Sequence, residues 1–248
     1  MRKEVAKSAV RKMSPIFARL LPIKSWPAWL GRVHDVQVPR AVVPQSVPAP
    51  TGRANINILL QMIERTKELE GEIAECGVFR GGTAVAMALY LRQQRIEKRI
   101  YGFDSFEGFD AESVKRDLQL GGAYNDDRQE HGFTETSEET VLTKLSRFRL
   151  VNLELVPGYF SESLPKFCRP MTFCFVHLDV DLYDSYRQCL DFFYPRMVSG
   201  GIILLDEYND PPWPGCNKAV DEFLARKPES LEKIVQDNYE KWYFVKRH

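Results

Sequence analysis

The chain has 248 residues, 44% of them hydrophobic and 12% aromatic, so a single core can hide about 70% of its unfolded surface. That excludes a disulfide-stapled miniprotein, and five scattered cysteines with no CxxC pair suggest neither a disulfide framework nor a zinc site. Lysine plus arginine total 34 against 34 acidic residues, so no net field holds a polyanion and no nucleic-acid partner is expected.

Residues 1–50 differ from the rest. Val10, Met13, Phe17, Leu20 and Leu21 recur at helical spacing beside Arg2, Lys3, Lys7, Arg11 and Lys12, the pattern of a basic amphipathic helix. Such a helix can touch anionic lipid, but packing on the domain or on a second copy in a homo-oligomer is the favoured reading. Pro39, Pro44, Pro48 and Pro50 then mark an extended connector. No apolar run approaches the ~20 residues of a bilayer-spanning helix, and the basic start lacks the apolar core of a secretion leader. A cytoplasmic location is expected.

From Thr51 to the end, residues 51–248, helical and strand periods alternate, which predicts an α/β fold with a mainly parallel sheet. Leu59, Met62, Ile63 and Leu69 make one helical face, GEIAECG a strand, TAVAMALYLRQQ a helix buried nearly all round, and RIYGFDSF a second strand. Residues 107–150 read as polar and irregular until Thr136 and Glu139 form a capping box. LELVPGYF, FCFVHLDVD and GIILLDEY are further strands. Tyr186, Cys189, Leu190, Phe193, Tyr194 and Met197 trace a helix before the last of them, capped by Asp184 and stopped by Gly200 and Gly201. After a helix around 217–225, LEKIVQ and KWYFVKR read as an antiparallel hairpin.

Ligands of open α/β sheets lie beyond the carboxyl ends of the strands, and here those ends are acidic. The first runs Glu75-Cys76-Gly77-Val78-Phe79-Arg80-Gly81-Gly82-Thr83, a glycine turn feeding a helix N-terminus. Gly77 would admit a ligand closely, Gly81 and Gly82 would permit the turn, and Thr83 would cap the helix. Glu75 beside them suits an ammonium; a purely structural strand-to-helix turn is the competing reading. Asp104 ends the second strand, where an acid either accepts both hydroxyls of a ribose or caps the next turn; with Glu75 and the glycine turn the ribose reading is favoured. Asp179, Asp181, Asp206 and Glu207 stand on two neighbouring strands; acids converging there would hold a hard cation or share a proton. Local capping by Asp181 and Glu207 is the competing reading. His131 is an alternative base in the polar insertion, with a surface-loop histidine without a role the favoured reading, and His177 reads as a hydrogen-bonded core residue.

ECGVFRGGT, YGFDSFEGF, VHLDVDLYDS with YPRMVSGGIILLDEY, and WPGCNKAVDEF resemble, in order, the signature blocks of the macrocin O-methyltransferase (TylF-like) family over about residues 53–225. The resemblance implies a class I methyltransferase (Rossmann-like) seven-stranded sheet with a terminal antiparallel hairpin, with S-adenosylmethionine as cofactor. It implies Mg²⁺-assisted methylation of a small-molecule hydroxyl, that of a sugar or glycoside. Carried onto this chain, Glu75, Gly77, Arg80, Gly81, Gly82 and Thr83 would hold the methionine part, Asp104 and Ser105 the ribose, and Gly158 would complete the cofactor set. Asp179, Asp206 and Glu207 would hold the metal, with Asp179 as base or ligand. Two departures stand out: the macrolide-sugar enzymes carry two aspartates at 206 and 207, and Asp110 replaces a usual proline. A Rossmann oxidoreductase, disfavoured by the missing GxGxxG, and a non-catalytic assembly protein of the same fold remain as alternatives.

Overall fold

The computed structural model describes residues 52–122, 133–236 and 239–248. The expected N-terminal helix, the proline connector and His131 lie outside them. Helix α1 (Gly52–Thr66) leads into β1 (Glu72–Cys76), α2 (Gly82–Gln94) and β2 (Ile100–Asp104). Helices α3 (Ala111–Gln119) and α4 (Glu138–Phe148) precede β3 (Leu153–Pro157), and α5 (Phe160–Lys166) precedes β4 (Phe173–Leu178). Then come α6 (Tyr183–Phe193), β5 (Met197–Leu205), α7 (Pro214–Leu224), β6 (Glu232–Gln236) and β7 (Tyr239–Val245).

The seven strands lie in the order β3-β2-β1-β4-β5-β7-β6. The first five in sequence are parallel, and β7 runs antiparallel to both β5 and β6. Strand order reverses between β1 and β4, which opens a crevice at their carboxyl ends. This is the class I methyltransferase sheet with its terminal hairpin.

Alternation along each strand builds two cores, one per sheet face. Ile73, Ile100, Leu153, Phe175, Ile202 and Leu204 pack with Leu59, Met62, Val85, Leu89, Val141 and Leu145 of α1, α2 and α4. On the other face Ala74, Phe103, Val176, Leu178, Ile203 and Leu205 meet Leu164, Tyr186, Leu190, Phe193, Ala219 and Val220 of α5, α6 and α7. Phe103, fully buried, makes edge-on contacts with Phe167 at 5.1 Å and Phe193 at 5.4 Å; its truncation to alanine should cost about 3–5 kcal/mol. As its all-round apolarity predicts, α2 is buried from Ala84 to Leu91.

Several local expectations are corrected. The segment after β2 is not irregular throughout, because Asp110 accepts the Ser113 N–H and starts α3. The cap of α4 is Ser137, which accepts from the Thr140 N–H, while Thr136 Oγ1 donates to the Phe79 carbonyl. Leu182 precedes α6 with no side-chain cap, and Asp184 sits in its first turn, paired with Arg116. That helix gives way to a 3₁₀ turn at Tyr194–Arg196. Gly200 and Gly201 lie inside β5, where a Cβ at Gly201 would come within 2.9 Å of the Val198 carbonyl oxygen. All five cysteines are free, and only Cys168 is exposed.

Candidate active site

The crevice between β1 and β4 is a pocket with Gly77, Asp104, Ser105, Asp179, Val180 and Asp181 on its strand-end side. Its walls are Phe79, Phe109, Phe133, Tyr159 and Phe160, with Asp110, Ser113, Ser185 and Gln188. Gly77 has φ +88°, and a Cβ there would lie 1.7 Å from the Asp179 carbonyl oxygen. The glycine is therefore required by the neighbouring strand's backbone, a closer demand than ligand approach. Gly77 N–H donates to the Phe103 carbonyl and Asp179 N–H to the Cys76 carbonyl, both at 2.9 Å, so the ends of β2, β1 and β4 are tied into one rim.

Asp104 is held by backbone donors. Its Oδ2 accepts the Phe79 N–H at 2.7 Å and its Oδ1 the Phe106 N–H at 2.6 Å. Burial raises its pKa, against the pull of these N–H groups. Two acceptor positions of the carboxylate remain for a ligand, out of about four. Ser105 Oγ turns to its own loop, donating to the Gly108 carbonyl at 2.8 Å and accepting from the Glu107 N–H.

The remaining residues expected at the cofactor are not among those lining the pocket. Gly81, with φ +75°, occupies the N-cap position of α2, so Thr83 sits in the first turn and caps nothing. Arg80 donates to the Glu135 carbonyl, and its own carbonyl accepts from Lys144 Nζ at 2.7 Å. Gly158, φ +119°, donates its N–H to the Asp104 carbonyl. Glu75 is fully buried, with Oε1 on His177 and Oε2 without a hydrogen-bond partner.

The aromatic walls escaped the sequence reading. Phe79 and Phe109 both meet Phe133 edge-on at 5.2 Å, and Phe109 reaches Trp213 at 6.0 Å. Their signal was an aromatic residue within two positions of a glycine in three strand-end loops: VFRGG, EGFD and PGYF.

The acids of β4 and β5 are handled by side chains. His177 Nδ1 faces Glu75 Oε1 at 3.1 Å and its Nε2 faces Asp206 Oδ1 at 3.3 Å. Burial alone would lower this histidine, but the two carboxylates hold it up at about 10. Lys241 Nζ sits 2.5 Å from Asp206 Oδ2 and donates to the Asp206 carbonyl at 2.8 Å. Burial opposes ionisation of Asp206, yet Lys241 and His177 together hold it well below the usual range. For Asp179 the balance falls the other way: burial and the Asp206 charge outweigh the pull of His177, Lys241 and a hydrogen bond with Glu207 and raise it to about 7. Glu207 Oε2 accepts from Tyr186 Oη at 2.5 Å and from the Asp181 N–H at 3.2 Å. Burial and the neighbouring acids push Asp181 and Glu207 well up. Glu207 thus bridges locally, while Asp181 joins in through its N–H and keeps its side chain on the pocket.

An Mg²⁺ site needs several free oxygen ligands at short distance. His177, Asp179 and Asp206 offer atoms within 4.8 Å of one another, but both His177 ring nitrogens face carboxylates and both Asp206 oxygens face fixed cationic side chains. Glu207 is turned to Tyr186. As arranged, this donor set does not fit Mg²⁺. An adenosyl ligand fits better: a carboxylate with acceptor capacity on the rim, aromatic walls, and a cleft at the switch point.

The macrocin-O-methyltransferase (TylF) family model matches residues 39–242. Demethyldecarbamoylnovobiocin O-methyltransferase of Streptomyces niveus is 31% identical over 171 residues, 67% of this chain and 63% of that protein. The 8-demethyl-8-(2,3-dimethoxy-alpha-L-rhamnosyl)-tetracenomycin-C 4'-O-methyltransferase of Streptomyces olivaceus is 29% identical over 164 residues, 63% and 59% of the two chains. The chain thus spans about 60% of the length of these two relatives. The solved O-methyltransferase NovP superposes with a TM-score of 0.67 at 26% identity, covering 88% of this chain and 94% of that one.

Proposed function

The chain belongs to the macrocin-O-methyltransferase (TylF) family, and from that premise we propose that it transfers the methyl group of S-adenosylmethionine to a hydroxyl of a small molecule, a sugar or glycoside. The observation that carries this reading is the single pocket that joins the Asp104 rim to Asp179. The rhamnosyl acceptor in the name of the Streptomyces olivaceus relative supports the sugar class.

The cofactor, when bound, supplies an electrophilic sulfonium methyl. The chain supplies the rest. Asp104 offers its remaining lone pairs to the ribose hydroxyls, and Phe79, Phe109, Phe133, Tyr159 and Phe160 form apolar walls that keep water from the reacting atoms. Asp179 accepts the acceptor's hydroxyl proton, and a base poised near 7 is well matched to neutral conditions. The Gly77–Asp179 backbone contact fixes that carboxylate relative to the rim.

Residues 1–50 are assigned the closing of the acceptor side or the building of a homo-oligomer, on the strength of their amphipathic stripe. Among the described residues no helix is long and apolar enough to cross a membrane. The test is a methyl-transfer screen against sugars and glycosylated metabolites, with calorimetric titration of S-adenosylmethionine and of NAD. Binding of the first and transfer to an alcohol is the expected result. Binding of NAD alone would replace this reading by the oxidoreductase one, and cofactor binding without turnover on any acceptor by the assembly one.

A further inference from the structure

A chain of charged side chains crosses four strands on one face of the sheet. Glu75 of β1 is in register with His177 of β4, and His177 with Leu204 of β5. Asp206, two residues past Leu204, lies on the same side. Leu205 pairs with Trp242 in the antiparallel β5–β7 ladder, so the next step places Lys241 opposite Asp206. The topology delivers an ammonium to this acid, and the contacts follow: Lys241 Nζ bonds both Oδ2 and the main-chain carbonyl of Asp206. Lys241 is 3% exposed.

The two cationic side chains each take one oxygen of Asp206, so a second cation there would meet a positive charge on either side. Lys241 covers Oδ2 and His177 covers Oδ1, and His177 is itself held from behind by Glu75. A divalent ion at Asp206 would have to displace a buried ammonium and leave it beside two further positive charges, without the partner that compensates its desolvation. Glu207, the other strand-end acid, is committed to Tyr186 and the Asp181 N–H. Asp179 and Asp181 are left facing the pocket with neither cationic side chain bonded to them.

We propose that Lys241 is the resident cation of this acidic cluster, a positioning residue that acts through Asp206 and keeps divalent metal out, so that transfer proceeds without one. The catalytic clause rests on the methyltransferase reading; the exclusion of metal does not. Lys241 touches neither the pocket nor the reacting atoms. Its part is to fix the charge and orientation of Asp206, and through His177 the electrostatic setting of Asp179.

The test uses the full chain and Mn²⁺, whose free ion is read by electron paramagnetic resonance. The wild-type chain should leave the signal of millimolar Mn²⁺ undiminished, and its methyl transfer should survive EDTA. Lys241→Met keeps the apolar stem and removes the charge, so it should bind Mn²⁺ at least about tenfold more tightly than wild type, the direction expected when a like charge is withdrawn at short range. Lys241→Arg should restore exclusion. Near-UV circular dichroism checks that each variant is folded. Mn²⁺ bound by the wild type and displaced by Mg²⁺ overturns the proposal, even if Lys241→Met does not fold; so does a folded Lys241→Met that takes up no more metal than wild type. Exclusion without transfer to any acceptor would remove the enzymatic reading and leave the role of Lys241 standing.

Discussion

The carboxyl ends of β2 and β5 each carry a buried acid, and the two are stabilised by different means. Asp104 is met by the N–H groups of Phe79 and Phe106, from loops on either side of the glycine rim. Asp206 is met by the side chains of His177 and Lys241, from two other strands. Backbone donors belong to the turn geometry and leave a carboxylate with acceptor capacity, which suits the binding of a neutral diol. Side-chain cations neutralise the acid and set a positive charge against each oxygen, which suits a fixed electrostatic element. Asp179 lies between the two and feels His177 and Lys241 only at a distance, so burial wins and its affinity for a proton falls in the working range of a base.

The largest effect should come from Asp179. Asp179→Asn is expected to lower the transfer rate by at least about 100-fold, the loss typical of a removed general base. Its effect on stability has the opposite sign. The folded-state pKa of about 7 lies above the ordinary 3.8, so ionisation of Asp179 destabilises the native state progressively between those values and fully above them. The variant should therefore unfold at a higher temperature than wild type at pH 8, with no difference at pH 3. A variant that melts lower at pH 8 would show that Asp179 is held by a partner it lacks here.

Next in size is Asp104→Ala, which should weaken S-adenosylmethionine binding by on the order of 1–3 kcal/mol in calorimetry. Because the same carboxylate holds two backbone N–H groups, the variant should also lose stability in the absence of cofactor. Unchanged affinity would detach the β2 end from the cofactor.

On the charged side, His177 should set part of the alkaline stability limit. Its pKa is raised to about 10 from 6.5, so its ion pairs contribute fully below 6.5 and are lost as the pH rises through 10. Wild-type stability in urea should fall across that window, and His177→Gln should flatten the fall. Parallel slopes for the two proteins would mean that the ring is neutral in the fold.

The sheet, its hairpin and the acidic strand ends were legible in the sequence because alternation and glycine turns are local signals. Helix α3 was not, since AESVKRDLQ has no apolar stripe and the residues it buries are Ser113 and Asp117. Gly200 and Gly201 read as a helix stop, but the 3₁₀ turn at Tyr194–Arg196 had already ended α6 and both glycines entered a strand. The deepest omission was Lys241. Its place beside Asp206 depends on the register of β5 with β7, a relation between segments 35 residues apart, which no local pattern contains. The Tyr239-x-Lys241-x-Tyr243 alternation was the available hint, a lysine on the inward face of a strand.

The smallest effect separates two adjacent hydroxyls at the start of α4. Ser137 is the cap, accepting the Thr140 N–H at 3.1 Å. Thr136 instead donates to the Phe79 carbonyl at 2.6 Å, and Phe79 is both a pocket wall and the donor to Asp104. Ser137→Ala should then cost about 1 kcal/mol of stability and leave the acceptor KM unchanged, because its bond is internal to the helix. Thr136→Val should do the reverse: a loss of roughly 1 kcal/mol or less in urea, with a rise in KM for acceptor or cofactor as the Phe79 loop loosens. If Thr136→Val changed only the stability and Ser137→Ala only the KM, the two hydroxyls would have to exchange roles, and the tie between α4 and the pocket rim would run through the helix cap.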